Sequence, residues 1–163
     1  MTMENAKGWI AHLKLQPHPE GGYYKETFRS NQTVFRKTGG PLKQACTSIY
    51  YLLEGNDFSG FHRLSSDEIW YFHKGTPLLI HVIDHDGKLG SFELSDITTG
   101  SLSLAIEAGC WFAAETITPH GFSLVSCAVA PGFDFSEFEM GKKDVLQLLY
   151  PEHKNILNRL CRD

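Results

Sequence analysis

Long apolar runs are missing from this chain, and several classes of function go with them. No stretch of about eighteen consecutive apolar residues occurs, so no transmembrane helix is expected. Clustered positive charge is missing too. The formal net charge is −4, Lys and Arg are scattered, and the one basic pair, Lys142-Lys143, opens a C-terminal helical stretch. A nucleic-acid surface needs clustered basic side chains, so no nucleic-acid partner is expected. The opening residues Met1-Thr2-Met3-Glu4-Asn5 have neither a charged n-region nor an apolar h-region, so no secretory signal is expected. None of the four cysteines (Cys46, Cys110, Cys127, Cys161) forms a Cys-x-x-Cys pair or has a His at zinc-finger spacing. Cys110 and Cys127 lie in apolar, strand-like stretches and read as buried reduced thiols, which fits a cytoplasmic protein. Internal repeats, low-complexity tracts and linkers are also absent, so residues 1–163 read as one domain.

What is present is an ordinary globular composition, 42% hydrophobic and 21% charged over 163 residues, enough for a sizeable core. Residues 6–15 read as a short helix, with Trp9, Ile10 and Leu13 at helical spacing. Two Pro and two Gly in residues 16–22 end it. Residues 23–30 read as a strand with Tyr24, Glu26 and Phe28 on one side and Lys25, Thr27 and Arg29 on the other. Residues 31–42, polar and Gly-rich, read as a loop. Strands then follow at residues 45–53, 60–64, 68–73, 78–84, 88–94, 101–106, 110–117 and 122–129, separated by turn signals. Short, regularly spaced strands without intervening helices point to a sandwich or barrel. Helix returns at residues 142–149 and 151–160, where Pro151 suits a helix start.

The densest polar and aromatic stretch is residues 61–75. His62 and Leu64 share a strand face, and Glu68, Trp70 and Phe72 share a face of the next strand. If those strands pair, His62 and Glu68 both point into the barrel. An imidazole beside a carboxylate is the usual ingredient of a metal site or a general base. His81 or His120 could add to such a site, although Pro119-His120-Gly121 reads as a turn. Tyr23, Tyr24, Tyr50, Tyr51, Trp70, Tyr71, Trp111 and Phe112 form an aromatic-rich set, of which alternation turns about half inward, and an aromatic-lined barrel suits a planar or sugar-like ligand. Arg29 and Lys25 could meet an anionic ligand.

These residues carry a resemblance. His62, Glu68 and Gly75 fall on the spacing of the first motif of the cupin superfamily, and Glu107-Ala108-Gly109-Cys110-Trp111-Phe112 aligns with the second. Two ligand positions differ: Leu64 stands where the motif has its second His, and Phe112 where the second motif has its His. Three further segments sharpen the match: residues 18–30, Ser66-Asp67-Glu68-Ile69-Trp70, and Val129-Ala130-Pro131-Gly132-Phe133-Asp134-Phe135. They resemble an uncharacterised cupin subgroup, cupin family five or domain of unknown function 985. The resemblance implies an all-β fold, a double-stranded β-helix or jelly-roll barrel with short N- and C-terminal helices, and a homodimer. It implies no settled activity. Three readings follow. The first is a metal-independent epimerase- or isomerase-like enzyme, with His62, oriented by Glu68, as base and Tyr24 or Tyr51 as acid. In it Trp70, Phe72, Trp111, Phe112, Arg29 and Glu26 contact the ligand, with no metal and no cofactor. The second is a non-catalytic ligand-binding or sensing protein. The third is a metal-dependent oxygenase, disfavoured by Leu64 and Phe112.

Overall fold

Alternating burial organises the chain. Strand Asp67–Gly75 buries Glu68, Trp70 and Phe72 and exposes Asp67, Tyr71 and His73, as a period of two requires of a strand with one face on a core. The computed structural model describes residues 5–37 and 39–162, so the first four residues of the leader reading lie outside the described ones. Helix α1 (Ala6–Leu13) starts on the Asn5 side chain, which accepts the Gly8 N–H, and ends at Lys14 in the left-handed conformation, short of residue 15.

The strands are β1 (Gln16–Pro17), β2 (Tyr23–Arg29), β3 (Thr33–Phe35), β4 (Leu42–Gln44), β5 (Thr47–Glu54), β6 (Phe58–Leu64), β7 (Asp67–Gly75), β8 (Leu78–Ile83), β9 (Leu89–Leu94), β10 (Ser103–Ile106), β11 (Trp111–Thr116), β12 (Phe122–Ala130) and β13 (Phe138–Met140). A 3-10 turn, Phe135–Glu137, precedes β13. Helix α2 (Lys143–Leu149), a second 3-10 turn and helix α3 (Lys154–Leu160) close the chain.

Two antiparallel sheets face each other in a jelly roll. One runs β1-β2-β5-β12-β7-β10 and the other β13-β6-β11-β8-β9. Their inner faces meet in one core of Tyr51, Trp70, Phe72, Leu78, Ile80, Phe112 and Val125. Two smaller cores lie outside the sheets. Phe61, Ile83 and Trp111 pack under Leu146 and Leu157 of α2 and α3, and Leu52 and Leu124 pack under α1. Each fully buried Leu contributes about 2 kcal/mol of transfer free energy.

Three expectations need correction. Residues 31–42 are not a plain loop, because β3 and β4 form a small hairpin sheet. Strands β6 and β7 do not pair. The turn at Ser65 and Ser66 carries the chain from one sheet to the other, so His62 and Glu68 approach from opposite walls. Helix 151–160 begins as a 3-10 turn, with Pro151 in its first turn as expected.

Candidate functional site

The six-stranded sheet lays out one wall of the site in rows, because residues in antiparallel register share a face. One row is Glu68, Val129, Thr47 and Arg29; the next is Trp70, Cys127, Ile49 and Glu26; the third is Phe72, Val125, Tyr51 and Tyr24. The first row lines a cavity of about 520 Å³, together with Cys127, Ile49 and Glu26 of the second and Tyr24 of the third. Opposite stand His62 and Leu64 of β6 and Phe138 of β13. Gln16, His18, Glu20, Phe133, Asp134 and Phe135 complete the lining. The volume lies within the usual range for small-molecule pockets, roughly 300–1,000 Å³.

His62 is buried, and its hydrogen bonds define its protons. Its Nδ1 lies 2.7 Å from the Gly60 carbonyl oxygen, so Nδ1 carries a hydrogen and donates it. Nε2 then faces Glu20 Oε2 at 3.3 Å. This contact is an ion pair whenever the imidazole carries its second proton. His18 extends the group, with Nδ1 accepting the Glu20 backbone N–H at 3.2 Å and lying 3.6 Å from Glu20 Oε2. Burial pulls the His18 pKa below its ordinary value, and Glu20 partly offsets this.

Glu68 stands across the cavity with no such partners. Burial pushes its pKa up to about 8, and the neighbouring charge of Glu20 adds to the shift. The Trp70 indole and the Cys127 thiol oppose it weakly. Neither closes a hydrogen bond on Glu68 Oε2, which is buried without a partner, as is Trp70 Nε1. With that shift Glu68 holds its proton near neutral pH.

Glu20 is held by its segment, residues 18–22. Gly21 has φ +113° and Gly22 φ +68°, and a Cβ on Gly21 would lie 2.0 Å from the Phe58 carbonyl oxygen. The Tyr51 hydroxyl donates to the Gly21 carbonyl at 2.7 Å, and Asp57 accepts the Gly22 N–H at 2.8 Å. The Glu20 carbonyl accepts from Gly60 N–H and from Arg162 Nε.

Of the residues expected from sequence, His62, Glu68, Tyr24, Arg29 and Glu26 line the cavity. Tyr51 does not. Its hydroxyl is committed to Gly21, and burial holds its pKa well above the phenolic range, so it is no proton donor to a ligand. Trp70, Phe72 and Phe112 face inward but fill the packed end of the barrel behind the cavity. Phe112 backs the His62 ring, with centroids 4.1 Å apart. Trp111 alternates outward, beneath the C-terminal helices and the Arg63 guanidinium. His62 is oriented by Gly60 and Glu20, not by Glu68. The aromatic lining comes instead from Phe133, Phe135 and Phe138, whose centroids lie 4.9–6.0 Å apart. Sequence reading missed these, His18 and Glu20. The quoted motifs spanning residues 18–30 and 129–135 were the signal that could have found His18, Glu20, Phe133 and Phe135, whereas Phe138 lies beyond them.

A metal of the kind cupin motifs imply does not fit these residues. Leu64 and Phe112 put hydrocarbon at two of the ligand positions. Among the described residues, no group of three or more His, Cys, Asp or Glu is placed to hold an ion.

Two facing antiparallel sheets, with a cavity between them on the motif strands, define a cupin. The chain belongs to the cupin superfamily family described as DUF985, whose pattern matches residues 7–141. It is 31% identical to the uncharacterised protein YML079W of Saccharomyces cerevisiae, over 88% of this chain and 79% of that one. A hypothetical protein from Leishmania major superposes with TM-score 0.90 at 34% identity, covering 98% of this chain and all of that one. Protein SO0799 from Shewanella oneidensis superposes with TM-score 0.88 at 38% identity, covering 98% and 99%. Oxalate decarboxylase from Bacillus subtilis, at 14% identity and TM-score 0.55, covers 88% of this chain and 36% of that one, a likeness of fold alone.

Proposed function

We propose that the cavity binds a small organic molecule and transfers protons on it without a metal, in the manner of an epimerase or isomerase. The observation that carries this reading is Glu68. It is a buried carboxyl with a pKa near 8 and an unpaired oxygen, across the cavity from the Glu20–His62 pair. Proton abstraction beside a carbonyl needs a base on one face and an acid on the other. Here the Glu20 carboxylate, 3.3 Å from His62, accepts the proton, and the Glu68 carboxyl on the opposite wall supplies one. Glu20 then releases its proton to solvent and Glu68 takes one up, which resets both groups. The aromatic wall of Phe133, Phe135 and Phe138 suits a planar or sugar-like ligand.

The test is a screen of aldoses, ketoses and other carbonyl compounds for deuterium incorporation in deuterated water, read by NMR. Incorporation should occur with the native chain. It should be lost in Glu68→Gln and Glu20→Gln, with binding retained in the first. Ligands that bind without exchanging any proton would instead mark a binding or sensing protein, the alternative reading of the same cavity.

The assembly we propose is a homodimer of a cytoplasmic protein. Strand β2 pairs with β1 only at Tyr23 and Tyr24, so its outer edge over residues 25–29 has no partner strand among the described residues. Open edges of this kind are usually covered. Phe28 on that edge and Phe35 and Leu42 on the neighbouring hairpin are exposed apolar side chains that a second copy would bury. Light scattering that gives the monomer mass at micromolar concentration would count against it. No helix among the described residues is long and apolar enough to cross a membrane.

A further inference from the structure

Arg29 is the one Arg or Lys among the described residues that line the cavity, where His18 and His62 both face Glu20, and its guanidinium is already occupied. Its Nε donates to Glu26 Oε1 at 3.0 Å and its Nη2 to Glu26 Oε2 at 2.7 Å, a bidentate fork. Nη1 faces the Phe133 carbonyl at 3.3 Å and Gln44 at 3.4 Å. At most one of five N–H groups is left for a ligand. The nearest other cations are spent in the same way. Lys43 meets Asp134 and Glu137, and Arg36 forms a second bidentate fork on Glu137 while also donating to Ser66.

The local backbone is built for this pairing. In a regular strand Glu26 and Arg29 project to opposite faces. The pairing of β2 with β5 slips between Glu26 and Phe28, so one extra residue turns Phe28 outward to solvent and brings Arg29 onto the cavity face beside Glu26. Bulges next to sites re-aim side chains in this way. Deeper in, Glu20 and Glu68 add carboxyls and no free cation. An anionic ligand would find no unspent guanidinium and would meet Glu20.

We propose that Glu26 is a specificity determinant that occupies the cavity's one guanidinium and so selects uncharged ligands over anions such as phosphates and carboxylates. The proposal rests on the reading that the cavity binds a ligand, and it names that ligand's charge class. Its test does not depend on the ligand's identity. Inorganic phosphate is titrated into the 15N-labelled native chain, Glu26→Gln, and Glu26→Gln with Arg29→Met, and amide shifts at Thr47, Ile49 and Arg29 are followed. The native chain should show no saturable phosphate site. Glu26→Gln should gain one, on the order of tenfold or more tighter than any non-saturating response of the native chain and weakened by added salt, because the guanidinium is released. The double variant should lose it again. Phosphate bound at Arg29 as tightly by the native chain as by Glu26→Gln overturns the proposal. So does a Glu26→Gln chain that folds but gains no phosphate site. A wrong ligand-binding reading would show elsewhere, as a cavity indifferent to every compound of the deuterium screen, whatever the phosphate arm returns.

Discussion

Two buried imidazole–carboxylate pairs sit on opposite faces of one sheet, and only one of them is finished. On the outer face, His81 Nδ1 meets Ser91 at 2.8 Å and Nε2 meets Glu115 at 3.0 Å, and Glu115 also accepts from Arg159 of α3. Every strong donor and acceptor there is used. On the inner face, His62 lies 3.3 Å from Glu20 and both open onto a cavity, with Glu68 across it leaving Oε2 without a partner. The carboxyls record the difference. Hydrogen bonding to His81 holds Glu115 below the usual carboxylate range, with Arg159 adding to it, whereas burial, helped by the charge of Glu20, lifts Glu68 to about 8. A saturated pair stabilises the fold. An unsaturated one costs stability and keeps a transferable proton.

Removing the finished pair should have the largest effect on stability. His81→Ala is expected to cost about 3 kcal/mol in urea unfolding, because it leaves Ser91 and Glu115 without their buried partner. A loss below about 1 kcal/mol would show that the outer pair is not a structural clamp.

Next in size is Glu68→Gln, whose effect should depend on pH. The folded pKa of Glu68 is raised, so between about 4.5 and 8 the native state binds more protons than the unfolded chain, and native stability falls as pH rises. The amide does not titrate. Glu68→Gln should therefore gain on the native chain through that window, reach an advantage of a few kcal/mol, and hold it above pH 8. Thermal unfolding at a series of pH values would show it. A constant offset would mean that Glu68 is satisfied in the fold.

The outer carboxyl should behave with the opposite sign. Glu115 has a lowered folded pKa, so its contribution is present above the ordinary Glu range and lost as pH falls through its folded value. Glu115→Gln should flatten the acid limb of the stability profile by about 1 kcal/mol. The smallest stability effect belongs to Glu26→Gln. The Glu26–Arg29 pair is about two-fifths exposed, so unfolding midpoints should move by less than about 0.5 kcal/mol even as phosphate selectivity changes.

The strand series was legible because period-two alternation is local. Glu68, Trp70 and Phe72 are buried together, as their spacing implies. His62 and Glu68 were legible as an inward pair through the motif spacing. The depth of the pocket was not. Alternation says that Trp70, Phe72 and Phe112 point inward, but it does not say that side chains from both sheets meet there and fill the barrel, leaving only the Glu68 end open. Tyr51 was misjudged for a related reason, since its hydroxyl partner, Gly21, belongs to a different segment.

By itself the sequence determined a series of strands with terminal helices, the inward faces of those strands and, through its resemblance to cupin motifs, hydrocarbon at two of the metal-ligand positions. Those are properties of composition, period and spacing, each set within a few neighbouring residues. Only the tertiary structure decided that Glu20 and not Glu68 bonds His62, that Phe133, Phe135 and Phe138 form the aromatic wall, and that a bulge puts Arg29 beside Glu26. Each depends on which distant segments come into register. Burial, ion-pair contacts and occupied guanidiniums are set by those contacts, and no local pattern encodes them.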